Sequence, residues 1–492
     1  MDQVSSRHEG DLQGRLVAID RVEELPVTVV VDARGAELAS TQHTAWMLVN
    51  LLSRLKRIVK HVGLVCPPAS LTGRVVPLAP RDLTLSSAIL AGGAAIGAVP
   101  VTAGSIGGLI FSVGPGDHDG RFRVYGEGWW GGVSKRGIAG AGASDLPFGP
   151  YVAACMAAGE VFKQARMIPG SYEEVSSSFL SLWDYTRDTQ PVGGCPVAVR
   201  GVDLDVALAG VGAVGSTWVH VMWACPGLTG RVLLADNDPD GVDATNLNRY
   251  PLFGMASLGK LKASEASRLA SDCEIAWNPS DAALQDQRSL PPYVISAVDR
   301  NRARSAIQDR YPPRILAAST LDLRAEVTRC GPPGVGPCLR CYNPPEVLPS
   351  DDEIRERLRN RVDAEISSLS SRAGIPAADA AEWIRTGGCG ESGERLLHLI
   401  RRTEDEPEAW AVGFTSVLAG TMLAAETLKE HLGVEVPLNA HLQRAVYQFE
   451  SPDAATNRAG PILRDPRCPK CDPSSDATLV WRRRFESLKP TR

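Results

Sequence analysis

The sequence predicts an α/β protein whose second half is a doubly wound, mainly parallel sheet, preceded by a second, diverged α/β domain of the same kind. Three observations carry this expectation. Between residues 204 and 236 the strand LDVALAG, a glycine turn, a helix and the strand RVLLAD follow one another as a βαβ unit. Buried-strand runs at 293–298 (YVISAV) and 314–319 (RILAAS) follow at spacings that leave room for helices, as a parallel sheet requires. Finally, PFGPYVAACMAAGEVFKQAR (147–166) echoes AVGFTSVLAGTMLAAETLKEHL (411–432) in its Phe/Gly start, small-residue interior and charged exit, as two copies of one fold would.

In chain order, VTVVV (27–31) reads as a buried strand and 42–59 as a helix whose apolar face includes Trp46, Leu48, Val49, Leu52 and Leu55. The strand HVGLVC follows, then a Gly/Ala-rich segment over 86–113 read as buried core, a glycine-rich turn region at GEGWWGG, and a helix over about 148–166. GGAAIG (92–97) reads as close helix packing, since no acidic strand end or arginine follows it at nucleotide-loop distance. A polar stretch over 170–194 separates the halves. Beyond it, helices are expected from Ser216 to Pro226-Gly227, over 260–271 and over 301–310. Residues 346–408 form a charged, helix-compatible insertion longer than an ordinary connection, which suggests a functional or partner surface.

With 492 residues, 44% hydrophobic and 22% charged, the chain is long enough for two or three globular domains. A net charge of −5 and a pI near 6.0 argue against a broad nucleic-acid surface. No apolar run is bounded like a membrane span, and the N-terminus carries mixed charge without an apolar signal segment, so a cytoplasmic chain with reduced thiols is expected. Eleven cysteines is an odd number, which disfavours a pure disulfide framework and directs attention to spacing. Cys338/Cys341 and Cys468/Cys471 make two CxxC pairs.

Gly210, Gly212 and Gly215 form GxGxxG directly after a strand and before a helix, where bare backbone and a helix N-terminus can approach phosphates. Asp236, at the end of the next strand, is placed to accept from ribose hydroxyls. To this point a dehydrogenase fits equally. The segment DNDPDGVDATNLNRYPLFGMASLGKLKASEA breaks the tie, because it brings Asn246, Arg249, Lys260 and Lys262 close to the nucleotide turn, and a hydride-transfer enzyme has no use for them. Attack of a carboxylate on an α-phosphate builds negative charge on phosphate oxygens, which cations and an amide donor stabilise. Asp299, ending its strand, is a natural magnesium ligand.

Over about 200–472 these residues resemble, in order and spacing, the ThiF- and MoeB-like adenylyltransferases and ubiquitin-activating enzymes. The resemblance implies a Rossmann-like adenylation domain. By it, Asp236 is the ribose acid, Asp238 the second acid of D-x-D, Asn246 and Arg249 the pair that meets the triphosphate, Lys262 the nucleotide lysine, and Asp299 the magnesium aspartate. Arg300 stands where the family has asparagine. The two CxxC pairs are placed as in this family, and four thiolates would complete a structural zinc site. Cys389, in the glycine-flanked IRTGGCGESGE, is the candidate thioester nucleophile, with Cys330 as runner-up; Cys66, Cys155, Cys225 and Cys273 read as fillers of apolar space.

The first half has no GxGxxG, NxxR and Asp set, so an inactive adenylation-like domain (1–190) fused to an active one (195–475) is expected, a pseudo-dimer in one chain, with further homo-oligomerisation open and a loosely held tail over 476–492. The family's partner arginine would come from Arg7, Arg15 or Arg21, and His220 and His441 read as ordinary partly buried histidines. The function implied is ATP- and magnesium-dependent adenylation of the C-terminal carboxylate of a ubiquitin-like protein, then a thioester on Cys389 and transfer to a conjugating-enzyme partner, as in bacterial ubiquitin-like conjugation operons, some of them antiviral. A sulfur-carrier substrate is the alternative enzyme reading, disfavoured by the fused inactive half. A non-catalytic nucleotide-binding scaffold is the alternative of another class; it should have lost Arg249, Lys262 or Asp299.

Overall fold

The computed structural model describes residues 24–117, 120–166, 175–191, 198–344, 350–387, 391–404, 412–433, 443–450 and 459–488. In the first half, β1 (Leu25–Val31) leads through α1 (Ala39–Leu52) to β2 (Val59–Val65), and through α2 (Leu85–Ile96) to β3 (Val101–Ala103) and β4 (Leu109–Val113). The hairpin β5 (Phe122–Glu127) and β6 (Trp130–Ser134) follows, then α3 (Phe148–Arg166), β7 (Ser177–Ser181) and β8 (Arg187–Asp188). In the second half, β9 (Val202–Ala209), α4 (Ala213–Ala224), β10 (Leu228–Ala235), α5 (Lys262–Leu269), β11 (Ile275–Ser280) and β12 (Tyr293–Ser296) precede α6 (Asn301–Gln308) and the hairpin β13 (Arg314–Leu321) and β14 (Arg324–Cys330).

The two halves share one topology. Eight strands run in the order β3-β2-β1-β4-β5-β6-β7-β8 in one sheet and β11-β10-β9-β12-β13-β14-β15-β16 in the other, where β15 is Arg444–Gln448 and β16 is Ala459–Gly460. In both, the first five strands pair in parallel and the last three are antiparallel additions. Two Rossmann-like α/β sheets with the same winding are what duplication of one fold produces.

The stretches that echo one another in sequence take equivalent places. α3 follows the first hairpin, and a helix over Gly413–His431 follows the second hairpin after the short α7 (Leu339–Tyr342) and the four insertion helices described next. Pro345–Ala409 is a compact unit of its own. It contains α8 (Asp351–Arg359), α9 (Asp363–Ala373), α10 (Ala377–Thr386) and α11 (Glu391–Glu404), and closes over Ile354, Leu358, Leu369, Trp383, Leu396 and Ile400. Ser350 caps α8 and Glu353 returns the bond, a capping box that starts the helix.

The Gly413–His431 helix is α12. It packs on α4 as α3 packs on α1, and α3 and α12 also pack on each other, with Phe162 and Phe414 5.5 Å apart. The two sheets thereby share one hydrophobic core.

Several expectations are corrected. The helix expected over 42–59 ends at Leu52, because Arg57 adopts a left-handed conformation (φ 64°) and Val59 already pairs in β2. The 86–113 run is buried only in part; Thr102 to Ser105 are exposed around the edge strand β3. The segment read as a loose tail contains α13 (Asp476–Glu486), whose Trp481 is fully buried and donates to Pro312 O at 2.9 Å. His220 is fully buried rather than partly so. Arg7, Arg15, Arg21, Cys195 and His441 lie outside the described residues. Among the described residues no helix is long and apolar enough to cross a membrane.

Candidate active site

In the second sheet Ala209, Ala235 and Ser296 end their strands at the same level. The residues that follow them, Gly210, Asp236 and Ala297, therefore meet at the carboxyl edge where the strand order reverses, the usual ligand crevice of such sheets. Gly210 turns with φ 84°, and a Cβ there would lie 3.0 Å from Ala297 O. At Gly215 a Cβ would fall 1.9 Å from Gly210 O, so only glycine lets the first turn of α4 pack against the strand end; Gly212 is the N-cap of that helix.

Asp236 braces this turn. Its Oδ2 accepts from Val211 N–H at 2.6 Å and its Oδ1 from Asp238 N–H at 3.1 Å. Burial holds its carboxyl above the ordinary value, against the opposing pull of Lys262 and of those N–H groups. Lys262, buried at the start of α5, donates to Asp238 Oδ2. Burial works against its charge, but Tyr250, Asp238 and Asp236 outweigh it and its pKa is raised.

The loop between β10 and α5 carries the remaining expected residues. Asn246 Oδ1 accepts from Asp243 N–H at 3.0 Å, closing a capping box. Arg249, mostly buried, donates to Thr245 O at 2.7 Å and Asn248 Oδ1 at 2.8 Å. Tyr250, which sequence reasoning passed over, ties the set together: its ring centroid lies 5.3 Å from the Arg249 guanidinium and 5.8 Å from Lys262 Nζ. Its hydroxyl lies 3.5 Å from where a Cβ on Gly212 would stand. The available signal was its place directly after NLNR. Lys260 turns outward to Glu265 at 3.4 Å. Asp299 stands exposed two residues past Ala297, and Arg300 begins α6 as its N-cap.

The same edge of the first sheet is built differently. Asp32, just past β1, pairs with the buried Arg123 of β5 at 3.0 Å where the second half has its glycine turn. In the equivalent connection after β2 the sequence is RVVPL (74–78), against NRYPL (248–252) after β10, so valines stand in for Arg249 and Tyr250.

Cys338, Cys341, Cys468 and Cys471 bring their sulfurs within 4.8 Å of one another, a four-thiol set that fits tetrahedral zinc. Cys330 is buried in the same small core, and burial pushes its thiol up to about 12. Cys389 lies outside the described residues, between α10 and α11 of the separate helical unit.

Comparison with known proteins gives the following. The chain is 26% identical over 355 residues to the uncharacterized protein y4jF of Sinorhizobium fredii, a match covering 63% of this chain and 65% of that protein, so it spans about two thirds of that relative's length. Among solved structures it is similar to E. coli MccB with ATP (15% identity, 71% of this chain, 97% of that chain, TM-score 0.38). It is also similar to MccB with MccA-N7isoASN (17% identity, 55% of this chain, 67% of that chain, TM-score 0.37). Scores of this size carry no functional conclusion. The ThiF family profile matches residues 200–470, more than half of the sequence and the whole of the site just described, and the chain belongs to the ThiF family.

Proposed function

We propose that this chain is an ATP-dependent adenylyltransferase that activates the C-terminal carboxylate of a ubiquitin-like protein. The observation that carries the reading is the convergence of Gly210, Gly212, Gly215, Asp236, Asn246, Arg249, Lys262 and Asp299 on one edge of a ThiF-family sheet. On this reading residues 195–475 are the active domain, 1–190 an inactive adenylation-like one, and 476–492 an appended C-terminal segment.

A substrate carboxylate oxygen attacks the α-phosphorus of ATP, and the bond from that phosphorus to the bridging oxygen breaks, giving acyl adenylate and pyrophosphate. The glycine turn and α4 N-terminus receive phosphate oxygens, Asp236 receives the ribose hydroxyls, and Asn246, Arg249 and Lys262 stabilise the charge that grows on the phosphates. Magnesium held by Asp299 supplies further neutralisation when bound. The Cys389 thiolate then attacks the acyl carbon and AMP leaves with the electron pair of the broken C–O bond, giving a thioester for a conjugating enzyme. Zinc on the four cysteines is structural.

The test is ATP–pyrophosphate exchange with glycine-tailed ubiquitin-like proteins. Exchange should fall by about 10²-fold in Arg249→Ala and persist in Cys389→Ala, with a thiol-reducible partner adduct only when Cys389 is present. Exchange equal to wild type in Arg249→Ala would sink the assignment of the site, and exchange without any adduct would remove the thioester step.

A further inference from the structure

The loop that carries Asn246 and Arg249 is held from the other half of the molecule. Apart from one 3-10 turn at Ala244–Asn246 and another at Met255–Ser257, the 26-residue-scale connection between β10 and α5 has no regular structure to set the position of its side chains. Arg54, just past the end of α1, is 1% exposed and reaches across to it. Nη1 donates to Leu247 O at 2.6 Å, while Nη2 donates to Pro251 O at 3.3 Å and Phe253 O at 2.8 Å. Asn50 completes the clamp: its Oδ1 accepts from Arg54 Nε at 2.7 Å and its Nδ2 donates to Pro251 O at 2.9 Å. One planar guanidinium thus grips carbonyls on both sides of the Asn248-Arg249-Tyr250 stretch.

The reverse contact is different in kind. Arg74, in the equivalent loop of the first half, donates to Trp223 O and, at 2.8 Å, to Cys225 O at the end of α4. These bonds fasten a helix end. The Arg54 grip, unlike that of Arg74, ends on the loop that carries Asn246 and Arg249.

We propose that Arg54 is a positioning residue for the triphosphate side of the site, so that the half without a glycine turn sets the geometry of Arg249 and Tyr250 in the half that has one. This rests on the adenylation reading. A buried, forked donor that fixes three carbonyls cannot be replaced by the single ammonium of lysine, whose three protons do not lie in one plane.

The role predicts a split between ligands. ATP uses the 246–250 loop, whereas AMP, without the β- and γ-phosphates, relies on Asp236 and the glycine turn. Affinities for MgATP and for AMP are measured by calorimetric titration of the full chain, with melting temperature in parallel, for wild type, Arg54→Met, Arg54→Lys and Arg74→Met. Both Arg54 variants are expected to weaken MgATP about tenfold or more and to leave AMP unchanged, and Arg74→Met is expected to leave both ligands unchanged even where it lowers the melting temperature. Arg54→Lys keeps the charge and the stem and so reports on the clamp if Arg54→Met does not fold. Equal loss of ATP and AMP affinity in the Arg54 variants, wild-type affinity in Arg54→Lys, or an equal loss in Arg74→Met would each overturn the positioning role. A wild-type chain that binds neither nucleotide would instead overturn the adenylation reading on which it rests.

Discussion

Asp236 braces the glycine turn with both carboxylate oxygens. They accept backbone N–H groups from Val211 and Asp238, and the same residue is the one proposed to receive the ribose. In Asp236→Asn an NH2 group must replace one acceptor, leaving a partly buried N–H without its partner at a cost of about 1–3 kcal/mol. Denaturant unfolding should show that loss together with weaker MgATP binding; unchanged stability would mean that the turn keeps its shape without the second acceptor. At this scale the sequence was informative wherever chemistry is carried by side-chain type and short spacing, as in GxGxxG, the D-x-D acids and NLNR. It was silent about Tyr250 and Arg54. The carbonyls that Arg54 holds lie 193, 197 and 199 residues away, and a carbonyl has no signature in a sequence.

Among the elements, α3 and α12 repay comparison. Each carries a buried Glu/Lys pair one turn apart, Glu160 with Lys163 and Glu426 with Lys429, in the same position of the repeated fold. In α12 the carboxylate also takes Arg329 of β14 and the hydroxyl of Tyr185 from the first half, while Lys429 donates to Leu182 O at 2.8 Å, so burial of these charges is offset by ion pairs and hydrogen bonds. The Glu-x-x-Lys spacing was visible in both echoing segments; that both pairs are buried was not. The C-terminal α13 packs beside the cysteine cluster: Trp481 shares a core with Cys338, Cys468 and Cys471, and Tyr311 donates to Lys470 O at 3.0 Å. Metal analysis should find about one zinc per chain. Removing it with a chelator, or by Cys468→Ser with Cys471→Ser, should lower the melting temperature and open the 459–488 segment to protease. A metal-free chain with an unchanged melting curve would show that the thiols hold this corner without an ion.

Across the whole molecule the halves meet through helices that bury ionisable rings. His43 on α1 lies 6.0 Å, ring to ring, from Tyr151 on α3, whose hydroxyl shares a 3.1 Å hydrogen bond with His220 Nε2 on α4. Burial, and then the charge of Arg74, lowers His43 to about 4; burial, followed by His43 and Arg54, lowers His220 to about 3. Both are neutral in the folded chain and would protonate near 6.5 when unfolded. The unfolded state therefore binds more protons below that pH, and stability is full above it and falls as pH drops toward the folded values. At pH 5 the loss is about 2 kcal/mol per histidine. The difference in unfolding free energy between pH 7 and pH 5 should accordingly shrink by about 2 kcal/mol in His220→Gln. The same difference in the variant as in wild type would place the acid sensitivity elsewhere.

The sequence by itself determined that the chain is a two-part α/β protein of ThiF type, where its glycine turn and charged loop lie, and which four cysteines belong in pairs. These features are written in hydrophobic period and in spacings of a few residues, which do not depend on how distant segments meet. Tertiary structure decided the rest. It joined Cys338 to Cys468 across 130 residues, docked α13, and added antiparallel strands such as β6 and β7, whose short Gly- and Ser-rich runs carry little periodic signal. It also put the α1 end of one half against the nucleotide loop of the other. Such contacts are set by the match of whole surfaces and by backbone groups that every residue carries alike, so no local pattern announces them.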